Sequence, residues 1–202
     1  MNTKLSVRQQ RQLVREEAIL DATRAMLARK GYDLMTVDEV AAEAEVAKAS
    51  LYKHFSSKES LAAAVMIRLL DQALAFLDSL PPETPPVDVM QALLRWALNL
   101  RLEGGVPPLP ATNSTLQANL LASPAYVKRI LDLNGRLTSL VKAAQSQGVM
   151  DPDLPVEVVV FALYARTCDP AMEYLRMTRR FTNQQVADYL VKVAFAGMRN
   201  GR

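Results

Sequence analysis

Residues 36–59 read TVDEVAAEAEVAKASLYKHFSSKE and contain the most informative structural pattern of the chain. Thr36 and Glu39 have the spacing of a capping box, in which the threonine hydroxyl accepts a hydrogen bond from the Glu39 amide and the Glu39 carboxylate reaches back. The apolar residues that follow recur at i, i+3, i+4 and i+7, which predicts a short helix with one buried face. These residues are Val37, Val40, Ala41 and Ala44.

A second short helix is expected directly after the first. The chain should turn at about residues 45–47, and the segment from Lys48 to Phe55 is predicted to be a helix that buries Leu51 and Phe55 on one face. A longer helix at about 14–30 precedes the pair. Three helices with a tight turn between the second and third satisfy the description of a helix-turn-helix, although the pattern alone fits a plain three-helix bundle equally well.

The remaining sequence also predicts helices. Apolar residues recur at spacings of three and four, and Gly and Pro mark the joints, so the fold class is all-α with about nine helices. Gly31 stands where a left-handed cap should end the first helix, and Asp169-Pro170 should kink or break the eighth. Beyond residue 55 the expected helices are about 57–80, 87–103, 111–122, 124–147, 155–168 and 183–197.

Composition excludes several classes of protein. The chain has 202 residues, of which 50% are hydrophobic and 22% charged, as in an ordinary globular protein. Its longest apolar run, 158–165, is far shorter than the roughly 20 residues of a membrane span, so a cytoplasmic location without a membrane partner is expected. A single cysteine and a single histidine, with no glycine-rich phosphate loop or nucleophile elbow, predict no enzyme, no cofactor and no metal site.

Positive charge is concentrated near the N-terminus, although the net charge is only +3. Residues 1–15 contain Lys4, Arg8, Arg11 and Arg15 and no acidic residue. Such a basic arm is either a solvated, disordered tail or, if a DNA-reading domain follows it, a segment that binds phosphates.

Residues 36–41 (TVDEVA), 51–55 (LYKHF) and 57–59 (SKE) closely resemble the DNA-binding domain of TetR-family transcriptional regulators, and the resemblance covers about residues 14–61. It implies a helix-turn-helix DNA-binding domain with the basic arm at 1–60, and a helical ligand-binding and dimerisation domain at 61–202. The third helix would enter the major groove. The implied base-edge contacts are Lys48, Ala49, Ser50 and Lys53, and the implied backbone contacts are Thr36, Val37, Tyr52, His54 and Lys58.

Three residues depart from the pattern of the family. Glu45 stands where the turn usually has Gly, and a left-handed conformation there would cost on the order of 1 kcal/mol. Ala47 replaces the common Ser or Thr cap, at a cost of about 1 kcal/mol more. Ala49 replaces a frequent Gly or Pro. These departures leave the docking and the operator sequence open.

The resemblance also implies a homodimer on a palindromic operator, usually a repressor, released by a small hydrophobic effector. The apolar run 158–165 and one face of the last helix would form the dimer surface, unless they are intramolecular core. That face holds Val186, Leu190, Val193, Ala194 and Gly197. An effector pocket would be lined by Met66, Leu70, Trp96, Leu100, Asn134 and Tyr164, although an apolar stripe is more often ordinary core. The competing interpretation is a helical protein-interaction module, whose binding would lack the steep salt dependence of phosphate contacts.

Overall fold

The computed structural model describes residues 6–104 and 115–199, and this part of the chain holds ten helices and one isolated β-bridge, between Met150 and Arg199. The all-α prediction is confirmed. The helices are α1 (Val7–Leu34), α2 (Val37–Glu43), α3 (Lys48–His54), α4 (Lys58–Ser79), α5 (Pro86–Leu102), α6 (Thr115–Leu121), α7 (Pro124–Ser146), α8 (Val156–Thr167), α9 (Ala171–Met177) and α10 (Asn183–Ala196). Lys4 and residues 111–114 of the expected sixth helix lie outside the described residues.

The helices pack as two compact units. Among the described residues, unit 1 comprises 6–68, Gly104 and 115–126, and unit 2 comprises 69–103 and 127–199. The boundary predicted at residue 60 separates a DNA-binding domain from a ligand-binding and dimerisation domain. It concerns function rather than packing, and it stays a prediction.

The first helix begins earlier than the sequence pattern indicates. Ser6 and Gln9 form a capping box, in which the Gln9 amide donates to Ser6 Oγ at 3.2 Å and the Ser6 amide donates to Gln9 Oε1 at 2.8 Å. The basic segment from Val7 to Arg15 is therefore helical rather than an extended or disordered arm. Gly31 has a positive φ of 77°, but its ψ is 171°, so it makes a kink inside α1 rather than the predicted left-handed cap, and the helix ends at Leu34.

Unit 1 is built around the buried faces of α1 to α4. Thr36 caps α2 as predicted, since the Glu39 amide donates to its Oγ1 at 3.3 Å. The hydroxyl of Ser57 accepts from the Ser60 amide at the start of α4. The largest fully buried side chains of unit 1 are Ile19, Leu27, Met35, Val40, Leu51, Leu61, Val65 and, from α6, Leu120.

Charged residues along α4 are paired with other helices. Arg68 bridges Glu17 and Asp21 of α1 at 2.9 and 2.8 Å within unit 1. In unit 2, Asp71 pairs with Arg129 and Asp78 with Arg136, both on α7. Among the described residues α4 is the one helix long and apolar enough, with a mean hydropathy of 1.6, to cross a membrane by length and composition alone. Core helices meet the same criterion, and pairing with α1 and α7 is what a packed helix requires.

Unit 2 encloses its own apolar core, to which α5, α7, α8, α9 and α10 contribute. The Asp169-Pro170 break is confirmed, and the chain resumes after it as the short α9. Thr182 caps α10 through a capping box with Gln185.

The predicted dimer face of α10 needs a correction. Val186, Leu190 and Ala194 are at most 8% exposed because the other helices of unit 2 cover them, so these three residues are core. Val193 and Gly197 remain exposed. The exposed face of α10 is rotated toward Tyr189 and Val193, which no local pattern could distinguish from the buried face.

Candidate nucleic-acid interface

The turn between α2 and α3 is a Schellman motif. The Val46 amide donates to the Ala41 carbonyl at 3.0 Å, and the Glu45 amide donates to the Ala42 carbonyl at 3.2 Å. Glu45 occupies the left-handed position with φ 52°. A residue with a Cβ thus adopts the left-handed conformation that was considered for Glu45, and the motif forms at the cost of backbone strain.

Helix α3 has one buried and one exposed face. Leu51 is sealed at 0% exposure and Phe55 is also buried, as predicted. Lys48, Ala49, Tyr52 and Lys53 are exposed, with Tyr52 at 45%. An exposed polar face on a helix held from behind by apolar contacts is the arrangement that a groove-reading helix requires.

The first turn of α3 has no side-chain cap. Ala47 is the N-cap and offers no hydrogen-bond acceptor from its side chain. Lys48 instead pairs with Asp38 of α2 at 2.6 Å, and this partner raises the pKa of the lysine. Both side chains are exposed, so the pair can open when a phosphate or a base competes for the ammonium group.

His54 is less accessible than the resemblance implies. Its side chain is 11% exposed, and Nδ1 lies 3.9 Å from Glu16 Oε2 on α1. The ring therefore lies between α3 and α1, and its predicted phosphate contact has to be made from a largely covered position. Ser50 is half-buried beside it.

Thr36, Val37 and Lys58 lie at the N-termini of α2 and α4. Thr36 is exposed and Val37 is half-buried. Lys58 Nζ donates to the Asp33 carbonyl at 3.1 Å and lies 4.5 Å from the centroid of the Tyr32 ring. Tyr32 in turn donates to Glu59 Oε1 at 2.9 Å, and burial together with this carboxylate raises the pKa of Tyr32 to about 12. The ring of Tyr32 thus contacts Lys58 at the N-terminus of α4.

Helix α1 contributes a surface beside α3, which the apolar pattern of the sequence does not predict. A groove of about 670 Å³ in unit 1 is lined by residues of both helices, namely Val7, Arg8, Arg11, Gln12, Arg15, Ser50, Lys53 and His54. The capping-box spacing of Ser6 and Gln9 is the signal that could have predicted a helix here.

The six predicted effector-binding residues are divided between the two units, and the site they would form stays a prediction. Met66 is buried in unit 1, whereas the other five belong to unit 2 and are half-buried. Two of these five meet directly, since Tyr164 Oη donates to Asn134 Oδ1 at 2.8 Å, and Trp96 stacks on Phe76 with ring centroids 5.5 Å apart.

Unit 2 contains a cavity of about 460 Å³ at the start of α5 and the ends of α7 and α10. None of the six predicted residues lines it. Its lining residues are Pro85, Val87, Asp88, Gln91, Gln147, Gly148, Val149, Met150, Phe195, Met198 and Arg199.

Comparison with known proteins gives consistent results. Residues 19–65 match the family described as bacterial regulatory proteins, tetR family. The chain is 26% identical over 150 residues to the HTH-type transcriptional regulator TcmR of Streptomyces glaucescens, an alignment that covers 72% of this chain and 66% of TcmR. The chain therefore spans less than two thirds of the length of the curated relatives that it matches.

Solved structures share the fold over nearly the whole chain. The transcriptional regulator FadR of Bacillus subtilis, in complex with stearoyl-CoA, is similar with a TM-score of 0.70 at 13% identity, covering 91% of this chain and 100% of that one. AibR, in complex with isovaleryl coenzyme A and operator DNA, gives 0.62 at 22% identity, covering 89% and 97%. Residues 19–65 therefore match the DNA-binding domain of the tetR family of bacterial regulatory proteins, and the chain shares the fold of these solved regulators over nearly its whole length.

Proposed function

We propose that the chain is a cytoplasmic transcriptional repressor, which binds a palindromic double-stranded DNA operator as a homodimer and leaves it when a small hydrophobic effector binds. The observation that carries the proposal is the two-sided character of α3. Leu51 and Phe55 anchor it in the core of unit 1, while Lys48, Tyr52 and Lys53 are exposed together. Lysine and tyrosine on a rigid helix can reach base edges and phosphates in a major groove.

The homodimer is supported by an exposed apolar surface on α8 and α10. Val158, Phe161, Tyr189 and Val193 are between 49% and 65% exposed, although each has a large apolar side chain. Val158 and Phe161 are spaced i, i+3 on α8, and Tyr189 and Val193 are spaced i, i+4 on α10, so each pair occupies one helix face. A twofold pairing of these two helices would bury both faces in a four-helix contact.

The effector is proposed to act by shifting a population. If it binds better to a conformer in which the two copies of α3 do not fit one operator, its differential affinity lowers the affinity for DNA by the same factor. The Asn134–Tyr164 hydrogen bond would supply a polar anchor in an otherwise apolar surrounding. Two proteins of the same fold hold acyl-coenzyme A thioesters, so this class is the first to be tried as effector.

Selection of bound duplexes from a random DNA pool tests the proposal. The expected result is enrichment of an inverted repeat whose half-sites lie about one helical turn apart or slightly more. Tyr52→Ala should weaken binding to the recovered site about tenfold or more, whereas Tyr174→Ala, which changes an exposed tyrosine of unit 2, should not. Failure to enrich any site, with the protein folded, would refute DNA reading and favour the interaction module.

A titration with acyl-coenzyme A thioesters of increasing chain length tests the second half of the proposal. Release of the recovered operator by one of them, with saturation, would support effector control. If no thioester alters operator binding, control by this class of effector is refuted and only the DNA-recognition part of the proposal stands.

A further inference from the structure

Three arginines in the first turns of α1 form a single stripe. Arg8, Arg11 and Arg15 are spaced i, i+3 and i+7, so they share one face of a helix whose start is fixed by the Ser6–Gln9 capping box. The stripe faces α3, because the arginines and the α3 residues Ser50, Lys53 and His54 line the same groove of about 670 Å³.

This stripe opposes the stability of its own helix. Like charges at i, i+3 and i+4 destabilise a helix by about 0.2–0.5 kcal/mol per pair, and cations near an N-terminus oppose the macrodipole. The first turn of α1 holds no acidic residue that would offset them. A local arrangement that works against the fold is a common mark of a binding surface.

The stripe also lacks the ion pairs that several other cations of unit 1 have. Arg29 pairs with Glu43, Lys30 with Glu39 and Arg68 with two carboxylates. Within residues 6–104 and 115–199, no salt bridge is formed by Arg8, Arg11, Arg15 or Lys53. The carboxylate of Glu16 on α1 lies 3.9 Å from His54 Nδ1.

We infer that this groove binds one sugar-phosphate strand of the DNA duplex that α3 reads, with Arg8, Arg11 and Arg15 as phosphate contacts beyond the helix-turn-helix itself. The inference rests on the proposed function and deepens it. Seven residues of helix rise about 10 Å, which matches about three phosphates of one strand at 3.4 Å along the duplex axis. Lys53 at the opposite wall of the groove would contact the same strand or the adjacent base edge.

The test is a salt series on full-length protein with the selected operator, using fluorescence anisotropy. Arg8→Gln, Arg11→Gln and Arg15→Gln are combined, since Gln keeps a high helix propensity. The control combines Arg176→Gln, Arg179→Gln and Arg180→Gln, which removes the same charge from an exposed segment of unit 2. The slope of log K against log salt should fall by about 0.9 per lost phosphate contact, so by up to about 2.7 in the stripe variant.

The stripe variant should lose affinity for operator and for unrelated duplexes alike, with the same base preference as wild type, and Arg→Lys at the three positions should restore most of the slope. An unchanged slope, or an equal fall in both triple variants, would overturn the inference by assigning the effect to net charge. A wild-type protein that binds no operator would refute the proposed function instead, so the two failures are distinguishable.

Discussion

Replacing Glu45 by glycine should stabilise unit 1. Glu45 holds the left-handed position of the Schellman motif between α2 and α3 with φ 52°. That conformation destabilises a residue with a Cβ by about 1–2 kcal/mol. Glycine avoids this cost but loses about 0.5–1 kcal/mol more backbone entropy on folding. The net expectation for Glu45→Gly is a gain of about 0.5–1 kcal/mol in the free energy of unfolding.

Two further variants separate backbone strain from charge. Glu45→Ala removes the same carboxylate while keeping a Cβ, so it should leave stability within about 0.5 kcal/mol of wild type. Gly148 occupies the same position of a second Schellman motif at the end of α7, with φ 71°, and a Cβ there would meet no atom within 4 Å. Gly148→Ala should therefore destabilise the protein by about 1 kcal/mol through backbone strain alone.

Urea unfolding followed by far-ultraviolet circular dichroism measures these changes. With a denaturant slope of about 1–3 kcal/mol per molar for small proteins, a change of 1 kcal/mol moves the midpoint by roughly 0.3–1 M. Trp96 is the one tryptophan of the sequence and lies in unit 2, so its fluorescence reports the unfolding of that unit. The destabilisation by Gly148→Ala should appear in this signal. If Glu45→Gly is no more stable than Glu45→Ala, the strain assigned to Glu45 does not exist.

Three other predictions follow from named contacts. Ala47→Ser should supply the missing cap of α3 and gain about 1 kcal/mol in urea unfolding; no gain would mean that the first amides of α3 need no cap. Tyr164→Phe should lower the free energy of unfolding by about 1 kcal/mol. The double variant Tyr164→Phe/Asn134→Ala should lose less than the sum of the two single losses, and additive losses in this cycle would argue against the hydrogen bond. The pKa of Tyr32 rises from 10.0 to about 12 on folding, so its contribution to the stability of the fold is complete below pH 10 and is lost as pH rises toward 12. This alkaline loss of stability should vanish in Tyr32→Phe, and a loss that persists in the variant would come from another group.

Local signals in the sequence predicted the helices well because their chemistry is local. The capping box at Thr36 and the positive φ at Gly31 each depend on residues within one turn. The turn strain at Glu45 was predictable for the same reason. The start of α1 was missed because Val7 and Val14 are exposed and give no buried stripe, although Ser6 and Gln9 carry the capping signal.

Contacts between distant residues were not predictable from pattern. Tyr164 and Asn134 are 30 positions apart, and the bond between them depends on how α8 packs against α7. Leu190 and Val193 both belong to apolar stripes of α10, yet the fold covers one and leaves the other 62% exposed. His54 was expected to face phosphates, but α1 covers most of its ring. Periodicity finds apolar faces, and tertiary packing decides what covers them.

Because the segment from Ser6 to Ile19 is helical, its length matters as well as its side chains. Each residue turns a helix by about 100°, so one residue inserted between Arg15 and the first buried position, Ile19, would rotate the three arginines a quarter-turn or more away from α3. A seven-residue insertion would restore their phase to within about 20°. Substitutions elsewhere in this segment would leave the arginine stripe in phase, whereas a change in the number of residues would keep it in phase only in near-whole turns.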